Sequence, residues 1–279
     1  PGHARTRADG GGADARMIRV RIISARGSTP REAGAEMIVT AHATQGTIGG
    51  GQLEYMAIDR ARQMLARGEA AARMDIPLGP EIGQCCGGRV GLSFTTMSPA
   101  LARDLVARSD REMALRPHVY VFGAGHVGDA LAMALSLAPL RVVLVDTRED
   151  ELVASAVPRI ETCLTAMPEA VVRDAPAGSS FVILTHDHAL DFLIAAEALK
   201  RSDAAYVGMI GSKTKRTTFR NWLSREIGQP DHFDRLICPI GGTVVKDKRP
   251  AVIAALAAAE IMTAALTWAA KRAGAPVGR

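Results

Sequence analysis

The sequence predicts an α/β fold, with a C-terminal Rossmann-like parallel sheet following a smaller N-terminal α+β domain. Three observations predict it. Past residue 116 short apolar runs alternate with helical patterns, as in a sheet with crossover helices. The runs VVLV and FVIL are continuously apolar, as strands buried on both faces require. A G-A-G-H-V-G loop sits between a strand pattern and a helix pattern. With 279 residues, 48% of them hydrophobic, the chain can bury the cores of two ordinary domains.

The first fifteen residues, PGHARTRADGGGADA, are small, basic and glycine-rich and are set aside as a disordered tail. The N-terminal domain is assigned to residues 16–115. Residues 17–25 and AEMIVT read as strands separated by the turn GSTP. Gly49, Gly50 and Gly51 precede a helix with Leu53, Ala57, Ala61, Met64 and Leu65 on one face, stopped by Gly68. Residues 71–76 form a candidate strand, a glycine-rich loop leads into the strand RVGLSFTT, and Ser98 with Pro99 starts another helix.

The second domain is assigned to residues 116–279. Its strands are HVYVFG, RVVLVD, RIETC, SFVILT and AAYVGMIG, with helices between them. The final helix runs from Pro250 to Gly274. It is apolar, but Glu260 at its middle would cost about 2.5–3.5 kcal/mol in a bilayer, so a packed, alanine-rich helix is expected and no membrane partner.

Within the loop, Gly123 allows the tight turn, Gly125 lets a phosphate approach the backbone, and Gly128 lets helix and strand pack closely. Free N–H groups at the helix start favour an anion. His126 reads either as an exposed loop histidine or as a donor to a ligand. Asp146, ending the next strand, is placed to accept from a ribose or similar diol. Thr185, His186, Asp187 and His188 follow a strand end, where ligands of parallel sheets collect. They read as ligand contacts, as a metal site, or as a helix cap by Asp187 with polar loop contacts. Ser212 is a candidate cap, and Lys213, Lys215 and Arg216 crowd a helix start whose dipole opposes them, so an anion is expected to offset them. A solvated basic turn is the alternative.

Four cysteines are too few for a disulfide framework, and a reducing cytosol fits best. Cys163 and Cys238 read as small core hydrophobes. Cys85 and Cys86, in GQCCGG, lie among Gly83, Gly87 and Gly88 with Arg89 beside them. Exposed backbone and a nearby cation favour a reactive thiolate that binds soft metals or carries sulfur. A buried, inert pair is the alternative. The net charge is +5 with arginines dispersed, and only 4% of residues are aromatic, so nucleic acid is not the expected partner.

The segments ARGSTPREAGAEMIVT, GTIGGGQLE, GQCCGG, VFGAGHVG, VVLVDTRE, THDHALD, YVGMIGSKTKR and CPIGG resemble, in order, the XdhC/CoxI family. Its members are accessory proteins of molybdenum hydroxylases such as xanthine dehydrogenase. The resemblance implies binding of the molybdenum cofactor (molybdopterin) and support for its sulfuration and insertion. It implies as partners the target hydroxylase and a cysteine desulfurase; a homodimer is compatible with it. It makes Cys85 and Cys86 candidate molybdenum contacts, and Gly123, Gly125, His126 and Gly128 the nucleotide-type loop. The expected orientation puts phosphate toward that loop and metal toward Cys85 and Cys86. Asp146, His186, Asp187, His188, Ser212 and Lys213 complete the candidate cofactor-binding set. After CPIG the chain departs from the family pattern: GTVVKDKRPAV stands where Leu and a second Ile-Gly are usual. An NAD(P)-dependent oxidoreductase is the alternative reading, although no hydride-transfer constellation is apparent. A redox sensor using the cysteine pair is a third.

Overall fold

The computed structural model describes residues 16–79, 87–226, 232–272 and 274. The chain divides into two compact units between Ser109 and Asp110.

The first unit is an antiparallel sheet backed by a helix. β1 (Ile18–Arg26), β2 (Glu36–Val39), β3 (Thr44–Gly46), β4 (Ala71–Pro77) and β5 (Arg89–Thr96) lie in the order β3-β2-β1-β5-β4. In β1, alternation sends Ile18, Val20 and Ile22 inward. They meet Leu53, Ala57, Ala61 and Met64 from α1 (Gly51–Arg67), which ends on a left-handed Gly68. α2 (Pro99–Ala114) begins with Ser98 Oγ accepting from the Leu101 amide at 3.2 Å and buries no residue of its own. The boundary between the units falls inside it.

Near GQCCGG the structure departs from the sequence expectation. Residues 80–86, with Gly83, Cys85 and Cys86, lie outside the described residues. Gly88 is not bare backbone: it is buried, and a Cβ there would lie 2.2 Å from the Ser28 carbonyl oxygen. Its glycine identity is required by this close approach. The Leu78 amide donates to the Gly88 carbonyl and the Gly87 amide to the Leu78 carbonyl, each at 2.7 Å, closing the neck of the loop. Arg89, the nearby cation, pairs at the surface with Asp75 at 3.0 Å across β4 and β5.

The second unit is a six-stranded, wholly parallel sheet in the order β11-β10-β9-β6-β7-β8. The strands are β6 (His118–Phe122), β7 (Arg141–Asp146), β8 (Glu161–Leu164), β9 (Ser180–Ile183), β10 (Tyr206–Met209) and β11 (Leu236–Ile237). Between them run α3 (His126–Ser136), α4 (Glu149–Ala154), α5 (Pro168–Asp174), α6 (His188–Lys200) and α7 (Lys213–Glu226), and α8 (Pro250–Arg272) closes the chain. One core gathers Phe181, Phe192, Phe219, Leu223 and Phe233 with α5, α6 and α7. The other gathers Leu131, Leu135, Leu144, Ala254, Ala257 and Ile261 with α3 and α8.

Among the described residues α8 alone is long and apolar enough to cross a membrane by length and composition. It is used here as a packing helix. Ala254, Ala257, Ala258, Ile261 and Ala265 are buried, and Glu260 turns into the unit to accept from the Gly241 amide at 2.8 Å and the Tyr206 hydroxyl at 3.3 Å. Burial, with the Glu260 carboxylate beside it, pushes the Tyr206 hydroxyl pKa up.

Candidate functional site

The strand order fixes where a ligand can sit. From β6 the chain winds outward through β7 and β8; it then returns to β9, on the other side of β6, and winds outward through β10 and β11. The order therefore reverses between β6 and β9, and in such sheets ligands enter the crevice at the carboxyl ends of those two strands. Phe122 pairs with Ile183, which places the Gly123–Gly128 loop directly beside the loop that begins at Leu184.

Within the first loop the three glycines have different surroundings. Gly123 has φ 110°, and a Cβ there would lie 2.6 Å from the Leu184 carbonyl oxygen. A Cβ on Gly128 would lie 1.8 Å from the Gly123 carbonyl oxygen. Both are set by strand, turn and helix meeting at backbone distance. Gly125 meets nothing within 4 Å. It is the N-cap of α3 and offers no side-chain cap, so the amides of the first turn have no side-chain acceptor there. Open space over uncapped amides at a helix start suits a phosphate. His126, exposed, is the first residue of that turn. Asp129 adds a carboxylate to it, and its Oδ1 is buried without a hydrogen-bond partner.

Asp146 is committed within the protein. Its Oδ2 accepts from the Ala124 amide at 2.7 Å and Arg148 Nη2 at 3.2 Å; its Oδ1 accepts from the Arg148 amide at 3.0 Å and Arg148 Nε at 3.1 Å. Those four bonds use the acceptor capacity of a carboxylate. Burial raises its pKa, but the bonds from Arg148 and Ala124 outweigh it and hold the carboxyl below its usual range. A ligand diol would have to displace Arg148.

In the second loop Asp187 is the N-cap of α6, accepting from the Ala189 amide at 2.8 Å. His186 and His188 flank it and are exposed. Among the described residues no three His, Cys, Asp or Glu side chains gather as a metal site. Thr185 donates through its amide at 3.0 Å and its hydroxyl at 2.7 Å to Asp191 Oδ1. Asp191 is completely buried and pairs with Lys215 Nζ from the first turn of α7. Asp191 thus supplies the anion expected for Lys215. Ser212 Oγ accepts from the Lys215 amide at 3.2 Å, as a cap, and Lys213 is exposed.

Asp191 and Arg148 escaped the sequence reading. Asp191 has a faint signal, an acid four residues beyond another at a helix start, and Arg148 follows Asp146 by two. Cys163 and Cys238 are free and half-buried against apolar neighbours. Burial pushes the Cys238 thiol pKa up despite Lys215 and Arg216 nearby.

The second unit is thus a Rossmann-type domain whose glycine loop opens at the switch point of a parallel sheet. Residues 119–261 match the XdhC Rossmann domain and residues 12–76 match the XdhC and CoxI family, and the chain belongs to that family. It is 27% identical over 252 residues to YqeB, an uncharacterized protein of Escherichia coli (strain K12), covering 87% of this chain and 42% of that protein. The chain therefore spans less than half the length of this curated relative. In fold it is similar to a crystal structure described as a xanthine dehydrogenase from Bacillus halodurans, with a TM-score of 0.76, 19% identity and 95% of each chain covered.

Proposed function

We propose that this protein is an accessory factor of a molybdenum hydroxylase such as xanthine dehydrogenase, binding the molybdenum cofactor and supporting its sulfuration and insertion. The observation that carries the reading is the family match in both segments, together with an uncapped helix start under open space at Gly125. The phosphate of the cofactor would rest on the amides after Gly125, with His126 a candidate donor beside them. His186, His188, Ser212 and Lys213 rim the same carboxyl edge of the sheet. Bound there, the cofactor would supply a soft, dithiolene-held metal with a labile sulfur. Cys85 and Cys86 are the proposed thiols toward it, and a cysteine desulfurase the proposed sulfur source.

The committed state of Asp146 favours this reading over an NAD-dependent oxidoreductase; Arg148 would instead suit the ribose phosphate of NADP. The ribose of NAD needs a free acceptor at that strand end, and all four positions are filled by Arg148 and Ala124. The test is purification after co-expression with cofactor biosynthesis, followed by molybdenum and pterin analysis, alongside titration with NADH. Pterin and metal should co-purify and fall when Cys85 or Cys86 is replaced. Saturable NADH binding without pterin would support the oxidoreductase instead.

A further inference from the structure

The first turn of α7 is electrostatically unbalanced. It carries Lys213, Lys215 and Arg216 and no acidic residue, although cations at a helix start oppose the dipole. Lys215 is compensated by Asp191. Among the described residues no carboxylate pairs with Lys213, Arg216 or, one turn on, Arg220. The two guanidiniums are held over one ring: Arg216 lies 4.7 Å and Arg220 5.5 Å from the Phe233 centroid. Stacking on a ring fixes a guanidinium plane while leaving its N–H edges free to donate. These cations line a cavity of about 460 Å³ closed by Ile237, Cys238 and Pro239 at the end of β11. That volume exceeds a lone phosphate ion and suits a small organic ligand.

We infer that this cavity is a second anion site, binding the phosphate of a small organic phosphate through Lys213, Arg216 and Arg220, with the ligand body against Ile237, Cys238 and Pro239. It lies three strand spacings from the β6 switch-point loop, roughly 14 Å along the sheet edge. Lys213 also rims the proposed cofactor site, but Arg216 and Arg220 belong to this cavity alone, and the inference does not depend on the reading of the glycine loop. The convergence of three cations on one cavity is the reason to expect a ligand: among the described residues no carboxylate pairs with them.

Equilibrium dialysis of the full chain against inorganic pyrophosphate, with ADP as a second probe, tests the site. The double variant R216A/R220A should lose one equivalent of bound pyrophosphate, its affinity falling roughly a hundred-fold as two charge-assisted contacts go. Gly125→Val should retain that equivalent, whatever it does to pterin content. ADP bound more tightly than pyrophosphate, with the same arginine dependence, would identify the organic body. R220A alone, at an exposed position, carries the test should the double variant unfold. Pyrophosphate binding absent from the wild-type chain, or unchanged in the arginine variants, overturns the inference.

Discussion

Lys215 Nζ, in the first turn of α7, donates to Asp191 Oδ2 at the start of α6, where the Asp191 side chain has no solvent exposure at all. The pair joins the helices that follow β9 and β10, and the other Asp191 oxygen takes the amide and hydroxyl of Thr185. One carboxylate therefore fixes the loop carrying His186 and His188 and the loop carrying Ser212 and Lys213.

Removing the cation alone strands that carboxylate. Lys215→Met is expected to destabilise the protein by about 3–5 kcal/mol, the usual cost of an unpaired buried charge. Asp191→Asn combined with Lys215→Met should recover part of the loss, since no charge then remains unpaired. Urea unfolding of the two variants and wild type reads both effects. Equal stability of the single and double variants would show that the pair contributes by shape and not by charge.

Asp146 predicts an acid-dependent loss. Its folded pKa is depressed by Arg148 and Ala124 below the ordinary 3.8, despite burial. A depressed carboxyl contributes stability above the unfolded pKa and loses it as pH falls through the folded value. Urea midpoints should therefore hold above about pH 5 and fall as the pH is lowered through and below about 4, and Asp146→Asn should reduce that fall. Asp146→Ala removes the acceptor of the buried Ala124 amide as well, for about 1–3 kcal/mol at neutral pH.

Gly88 tests the neck of the cysteine loop. A methyl group there meets the Ser28 carbonyl at 2.2 Å and the Arg26 carbonyl at 2.7 Å, both backbone, whereas one on Gly79 meets nothing within 4 Å. Gly88→Ala should cost about 2 kcal/mol or more, because rigid backbone must move. Gly79→Ala should be close to neutral. Thermal melts of the two variants compare them directly; equal melting temperatures would mean that the neck opens freely.

The sheet of the second unit was readable because strands buried on both faces have no polar alternation to obscure them: between their ends, VVLV of β7 and FVI of β9 are continuously apolar. Helix ends were readable where one residue makes the cap, as at Ser98, Gly68 and Asp187. One edge strand was not. β3 is the tripeptide TQG, exposed throughout, so it carries no pattern. At the candidate site, spacing exposed the glycine loop but not the partners of its neighbours. Asp191 and Lys215 are 24 residues apart, and only the adjacency of β9 and β10 brings them together. Asp146 was legible as the acid ending a strand, but its saturation by Arg148 depends on side-chain geometry that spacing does not encode.

Gly125 and Gly128 separate folding from binding within three residues. A Cβ on Gly128 would sit 1.8 Å from the Gly123 carbonyl oxygen, so α3 cannot keep its seat against β6. Gly128→Ala should cost about 3 kcal/mol, lowering the melting temperature by roughly 6–12 °C for a domain of this size. Gly125 has φ −78° and open surroundings, so Gly125→Ala is expected to melt with wild type. Its methyl group nevertheless occupies the space above the first-turn amides, where a phosphate would lie. Purified after co-expression with cofactor biosynthesis, Gly125→Ala should therefore retain its fold and lose most of its pterin. Asp129→Asn, which removes a negative charge from the same turn, should act in the opposite direction and bind more tightly. Full pterin content in a folded Gly125→Ala or Gly125→Val protein would place the phosphate elsewhere and remove the glycine loop from the binding site.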